Sequence, residues 1–244
     1  MIADEGRLRA GKPFRRTIIA IDGPAGAGKS TIARHLARHY GLLNLETGAM
    51  YRAFALKALR ASLSLNDSSE LEKLAAETTI RLEPGDGDNR VLLDGEDVTG
   101  LIRNPMVTDA ASRVSMFPGI RKWMVGLQQE LGAAGGVVME GRDIGTVVFP
   151  HAEVKIFLDA APEVRGQRRF DQLGRFGGAP IVQPEQVIRD LHARDERDRN
   201  RADSPLKPAP DAVLLDSTSM TLDEAVAAAE AIVEARLGET TPLT

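Results

Sequence analysis

Apolar positions along the chain fall into short runs that alternate with longer segments of helical period. Residues 17–22 (TIIAID) are apolar and β-branched, the pattern of a strand buried on both faces. A glycine-rich stretch at 23–28 follows, and then residues 29–40 repeat apolar positions at helical spacing through Ile32, Ala33, Leu36 and Ala37. The same strand pattern returns at 42–45, 136–139, 154–158 and 212–215. Helical patterns cover 47–61, 104–116, 118–131, 162–173, 185–200 and 221–237, with Pro118 at a first helical position and Thr221 to Glu224 reading as a capping box. Five short apolar strands alternating with helices predict an α/β fold, a parallel sheet with helices on both faces.

Four stretches break this rhythm. Residues 78–83, 90–94 and 97–100 read as short strands around a glycine-rich turn at 84–89, an insertion into the α/β pattern. Residues 62–72 are polar and serine-rich and read as a connection. Residues 174–184 hold glycine and proline with no period, the composition of a mobile loop. The first 16 residues carry four arginines and no apolar period and read as a flexible N-terminal tail. Trp123 and the scattered phenylalanines read as core.

Composition narrows the function. The chain has 244 residues, enough for one α/β domain with an insertion. Lys and Arg total 31 against 35 acidic residues, a net charge of −4, which argues against a general nucleic-acid binder. There is no cysteine, so disulfides, thiolate metal sites and cysteine nucleophiles are excluded. With no apolar leader and no run long enough to span a bilayer, a cytoplasmic protein without membrane contact is expected. The four histidines give no metal set: His35 and His39 share a helix face, but no third ligand is implied, and His151 and His192 are isolated.

The strongest chemical signal is Gly23-Pro24-Ala25-Gly26-Ala27-Gly28-Lys29-Ser30, a complete phosphate-binding loop with a strand before it and a helix after it. Glycines let several backbone N–H groups converge on one anion, and the helix start adds its positive end. Lys29 reaches the β- and γ-phosphates, and the Ser30 hydroxyl can ligate Mg²⁺. No N-K-x-D base-reading motif occurs, which excludes a GTPase. Leu158-Asp159 and Leu215-Asp216 are weak counterparts of the acidic strand end of large ATPases. A kinase acting on a small acceptor remains.

Three further stretches carry acceptor-site chemistry. Thr47, a plausible N-cap, and Arg52 place a hydroxyl and a guanidinium near a helix start, although a capped surface helix would look the same. Arg142 and Asp143 sit between glycines just past the strand at 136–139, where open α/β sheets bind ligands. There Arg142 can grip a phosphate and Asp143 accept from a donor, or the two can form a structural ion pair. Arg194, Asp198 and Arg201 share one helix face. With Arg165, Arg168 and Arg169 they flank the glycine-rich loop like a lid that closes cations over phosphates.

The stretches IDGPAGAGKST, ETGAMYR, LDGEDVTGLIR, GRDIGTVVFP, VKIFLDA, RDERDRNRA and LLDST resemble the bacterial cytidylate kinases, within the nucleoside monophosphate kinases, from about residue 17 to 236. The resemblance implies a P-loop kinase fold with a five-stranded parallel core in one domain, 17–237, followed by a tail at 238–244. It implies a monophosphate-binding region near 47–121 with an insert near 74–113, and a lid near 165–201. By motif, Gly23, Pro24, Ala25, Gly26, Ala27, Gly28, Lys29, Ser30 and Thr31 would bind the phosphates of ATP, with Mg²⁺ on Ser30. Thr47, Arg52, Arg142 and Arg201 would hold the acceptor monophosphate. Ser112, Arg121 and Asp143 would read cytosine, and Arg194 and Asp198 would reach the ribose. Lys29, Arg142, Arg194 and Arg201 are the expected catalytic groups. Some relatives carry Ser in place of Thr47 and Asp in place of Glu140, which leaves the role of Glu140 open.

The expected reaction is ATP plus CMP or dCMP giving ADP plus CDP or dCDP, by a monomer with no nucleic-acid partner. Residue chemistry agrees, since cytosine offers an N4 amino donor that suits a carboxylate, where uracil offers an acceptor. The rivals are another small-molecule P-loop kinase, acting on uridylate, shikimate or dephospho-coenzyme A, and a P-loop regulatory or nucleic-acid-binding module without turnover.

Overall fold

A computed structural model describes residues 16–83, 85, 89–175 and 183–239. The predicted mobile loop and the predicted tails at 1–16 and 238–244 lie largely outside these residues, although Gly238 and Glu239 continue the last helix. Five parallel strands form the central sheet: β1 (Ile18–Asp22), β2 (Leu43–Glu46), β6 (Val137–Gly141), β7 (Val154–Asp159) and β8 (Val213–Asp216), in the order β2-β6-β1-β7-β8. The three interior strands are almost wholly buried, which is why they read as continuous apolar runs. At the edge, β8 leaves Leu214 exposed.

Helices cover both faces. On one, α1 (Lys29–Tyr40) and α8 (Leu222–Glu239) pack Leu36, Ala229 and Val233 against Ile21, Val138 and Ile156. On the other, Ile144 and Val148 pack on Ala20 and Met139. A second core lies beneath α2 (Thr47–Arg60), α3 (Ser68–Ala76), α4 (Pro105–Val114) and α5 (Pro118–Gly132), around Met50, Phe54, Leu71, Ile120 and Met124. Trp123 packs against it, its ring centroid 5.1 Å from that of Phe54. The irregular stretch is an antiparallel sheet of β3 (Ile80–Glu83), β4 (Arg90–Leu93) and β5 (Glu96–Asp97), whose Ile80, Val91 and Leu93 join this second core. Finally, α6 (Pro162–Arg175) and α7 (Pro184–Arg199) follow β7 and stand beside the phosphate-binding loop.

Two elements depart from the sequence reading. The supposed connection at 62–72 contains the start of α3. Its serines fill the first turn, where they are tolerated, Asp67 Oδ1 accepts from Glu70 N at 3.1 Å, and Leu71 is fully buried. The second is a single π turn at Ile144–Val148, in which Phe149 N donates to Ile144 O at 2.7 Å. Asp22, at the end of β1, holds the start of this turn by accepting from Ile144 N at 2.8 Å and Gly145 N at 2.7 Å.

Parallel register brings the carboxyl ends of three strands level. Asp22 pairs with Gly141, and Glu46 with Glu140. Each end then leads into one charged segment: the loop after β1, the α2 start after β2, and Arg142-Asp143 after β6. This is where the strand order reverses, the crevice in which open α/β sheets take ligands.

Candidate active site

The loop after β1 depends on its glycines. Gly23 has φ +146°, and a Cβ there would lie 1.9 Å from the carbonyl oxygen of Leu158 on β7. Gly28, with φ +100°, turns the chain into α1. Gly23→Ala should therefore displace the loop from β7, costing roughly 1–3 kcal/mol of stability and weakening ATP binding. Denaturant melts and the KM for ATP check this, and a variant matching the parent in both would contradict it.

Lys29 is buried, and its Nζ donates to Pro24 O at 2.7 Å, across the mouth of the loop. Burial, with Arg142 next, pushes its ammonium down to about 7. Ser30 Oγ donates to Glu140 Oε1 at 2.5 Å. Burial and the neighbouring Glu46 push the Glu140 carboxyl up. Asp22 is also buried, which raises its carboxyl to about 6. Asp159 and Asp216, the weaker acidic candidates, bond to their own turns through Ala160 N and Thr218 N and stand outside the cleft.

Beside the loop opens a cleft of about 1510 Å³. That exceeds the roughly 300–1,000 Å³ of a site for one small ligand. Ala25 to Thr31 line it, with Gly23 and Pro24 behind them. Every acceptor-site candidate lines the same cleft: Thr47, Arg52, Ser112, Arg121, Arg142, Asp143, Arg194, Asp198 and Arg201. Residues from four distant parts of the chain thus converge.

The fold does not form the Arg142–Asp143 ion pair that adjacency left open as the alternative. Asp143 Oδ2 accepts from Arg121 Nη2 at 2.5 Å, with both side chains buried, and Arg121 Cζ lies 6.0 Å from the Tyr51 ring centroid. Arg142 instead donates through Nε to Asp198 Oδ2 at 2.9 Å, while Arg201 Nη1 lies 3.6 Å from Asp198 Oδ1. Burial raises the Asp198 carboxyl, but Arg142, Arg194 and Arg201 outweigh it and hold it below the usual range. Arg194 carries the opposite strain, since burial and Arg142 lower it to about 10.

Thr47 is the first residue of α2 and not its N-cap, which is Glu46. Its hydroxyl donates to Glu140 O at 2.7 Å, tying α2 to β6. Arg52 pairs with Glu46. The lid reading is corrected at Arg165, which is buried and turned beneath the phosphate loop. It donates to Ala25 O at 3.0 Å and Asp195 Oδ2 at 2.5 Å. Arg168 donates to Ala27 O at 3.3 Å and to Ser217. Both brace the loop backbone.

Buried polar atoms without a hydrogen-bond partner concentrate in this cleft. They include Arg52 Nε, Ser112 Oγ, Arg121 Nε, Arg194 Nε and Arg201 Nη2. Buried donors are almost always satisfied in a folded protein, so this cluster is built for a ligand that brings acceptors, phosphate oxygens above all. Sequence reasoning left out Asp22 and Asp195, and gave Arg165 a lid role where it braces the loop. An acid closing a buried strand was the available signal for Asp22 and for Glu140. Nothing local marks Asp195, whose partner is thirty positions away.

A phosphate loop at a strand-order reversal, facing an arginine-rich acceptor cleft, defines a P-loop kinase of the small-acceptor class. The cytidylate kinase family model matches residues 19–235. The chain is 49% identical over 223 residues to the cytidylate kinase of Solibacter usitatus, covering 91% of this chain and 94% of that one. It is 51% identical over 209 residues to that of Pelotomaculum thermopropionicum, covering 85% and 92%. A shikimate kinase structure from Acinetobacter baumannii aligns at TM-score 0.44 and 18% identity, covering 94% of this chain and 98% of that one. The chain belongs to the cytidylate kinase family and is a nucleoside monophosphate kinase.

Proposed function

We propose that this protein transfers the γ-phosphoryl group of ATP to CMP and dCMP, as a cytoplasmic monomer. The observation that carries the base preference is the buried Arg121–Asp143 pair beside Ser112 in the cleft. Asp143 Oδ2 is engaged by Arg121, leaving Oδ1 to accept from the cytosine N4 amino group, while Arg121 and Ser112 donate to the ring acceptors. Uracil would set a carbonyl against the carboxylate and leave buried groups unpaired, which sites of this kind reject strongly.

In the transfer, an oxygen of the acceptor monophosphate attacks the γ-phosphorus. The bond from that phosphorus to the β-bridging oxygen breaks, and its electron pair leaves with ADP. A phosphate monoester with its second pKa near ~6 is already largely deprotonated at neutral pH, so no general base is needed. Catalysis rests on position and charge. Lys29 and the loop N–H groups take the donor phosphates. Arg52, Arg142 and Arg201 take the acceptor phosphate, and Arg194 faces the charge developing between them. The Thr47 proton is already committed to Glu140 O, so that hydroxyl shapes the site before it serves a phosphate. Asp198 is charge-balanced by Arg142 and Arg201, so a missing 2′-hydroxyl leaves no buried charge unpaired, and dCMP is accepted beside CMP.

The Ser30 hydroxyl and the buried Glu140 carboxylate are hard oxygen donors, a set that fits Mg²⁺. They would hold it, and the ion would supply charge neutralisation for the transferred phosphoryl group. A net charge of −4 supports the absence of a nucleic-acid partner. No helix among the described residues is long and apolar enough to cross a membrane.

A coupled assay of ADP release with CMP, dCMP, UMP and AMP tests the proposal. CMP and dCMP should exceed UMP in kcat/KM by about 10-fold or more, the scale of one hydrogen bond to a charged group. Equal efficiency with UMP would remove the base-reading role, and silence with all four would remove the kinase.

A further inference from the structure

The two histidines that the sequence left without a third ligand meet one in the fold. His35 and His39 lie one turn apart on α1, and Glu230 reaches them from α8. His35 Nε2 lies 2.7 Å from Glu230 Oε1, and His39 Nδ1 lies 3.1 Å from the same oxygen. Both rings thus present a nitrogen to Glu230 Oε1, and they stack on each other with centroids 5.9 Å apart and planes 26° apart. The three ligand atoms fall within 4.8 Å of one another, the one such group among the described residues.

We propose that His35, His39 and Glu230 form a surface site for a borderline divalent transition-metal ion of the Zn²⁺ type. Two imidazoles and a carboxylate are a donor set that zinc accepts, and Mg²⁺ and Ca²⁺ prefer oxygen alone. Bonds of about 2.0–2.1 Å at a tetrahedral angle separate neighbouring ligand atoms by roughly 3.3 Å. The 2.7 and 3.1 Å spacings to Glu230 Oε1 would open slightly around an ion, and the two histidine nitrogens lie within 4.8 Å of each other. The histidines are close to half exposed and the glutamate about one quarter, so the ion has a path in and a water can fill its fourth position.

The site joins two helices that both reach the nucleotide cleft. Helix α1 begins with Lys29 and Ser30, and α8 places Leu222 and Ala225 in the cleft lining. A bound ion would clip α8 to the helix that follows the phosphate loop, without touching any group that handles phosphate. Its effect falls on stability, and the kinase chemistry runs without it.

The test is calorimetric titration of the tag-free, full-length protein with zinc chloride, set beside thermal melts and the CMP assay in Mg²⁺. The wild type should take up one Zn²⁺ at this site and melt at a higher temperature with it, since a ligand that binds only the folded state raises its stability. His35→Ala and His39→Ala should weaken that binding by more than the roughly 10–100-fold that loss of an outer-shell partner costs, and lose the thermal shift. Their turnover in Mg²⁺ should match wild type. Glu230→Gln, which keeps the shape of the α8 contact, should behave alike and covers the case of a histidine variant that fails to fold. Zinc uptake at Ser30 and Glu140 would persist in all three variants. A wild-type isotherm unchanged in the variants, or no saturable binding below about 1 mM, would overturn the site.

Discussion

Lys29→Met is expected to abolish turnover and to raise the melting temperature of the nucleotide-free protein, opposite effects from one substitution. The ammonium is the one lysine charge in the loop, and loss of a single transition-state electrostatic partner costs roughly 10²–10³-fold in kcat. The stability effect follows from burial, which lowers this amine to about 7. In the unfolded chain the same amine keeps its proton to about 10.4. Between those values the unfolded state binds more protons than the folded state, so stability rises with pH across that window, by up to ~1.4 kcal/mol per pH unit. Below pH 7 the penalty is present in full. Methionine removes it, at the cost of the bond to Pro24 O. Each kcal/mol gained should appear as about 2–4 °C in a chain of this size, and the variant should show a flatter dependence of melting temperature on pH from 7 to 10. Near-normal kcat in the folded variant would remove Lys29 from the reaction. A lower melting temperature with an unchanged pH profile would show that the empty site does not strain it.

Asp143→Asn is expected to lose about 10–150-fold in kcat/KM for CMP, the range of a hydrogen bond of 1.5–3 kcal/mol to a charged group. UMP efficiency should fall much less, because an amide offers the uracil carbonyl a donor in place of a repelling charge. The stability cost is the larger signal. Arg121 stays buried 2.5 Å from the new side chain without its counterion, and breaking a buried pair in this way costs about 3–5 kcal/mol. A melting temperature lower by roughly 6–20 °C follows. If Asp143 serves only to anchor Arg121, CMP and UMP efficiencies fall in equal proportion. Measuring both acceptors on the folded variant at low temperature separates base reading from anchoring.

The structure changed the meaning of several residues without moving them. Arg142 and Asp143 are adjacent, and adjacency made an ion pair between them plausible. In the fold their side chains diverge, one toward α7 and Asp198, the other toward α5 and Arg121. Arg165 looked like one of several lid cations because it flanks the glycine-rich loop in the sequence, which does not show what its side chain meets. It meets the underside of the phosphate loop. The histidine pair on α1 lacked a third ligand for the same reason, since Glu230 is 195 positions away.

Local signals carried the strand pattern, most helix limits and the phosphate loop. A strand buried on both faces has to be apolar throughout, and an anion held by backbone N–H groups requires glycines at fixed spacing. Helix α3 escaped because its polar first turn resembles a loop, although Asp67 and Glu70 carried the cap signal. The order β2-β6-β1-β7-β8, and with it the convergence of Arg52, Arg121, Arg142, Arg194 and Arg201 on one cleft, was decided only by tertiary structure. Short-range composition sets what a segment can be. Which charges face one another, and so which carboxylate or amine is driven from its ordinary pKa, depends on burial and on contacts between segments far apart in the chain.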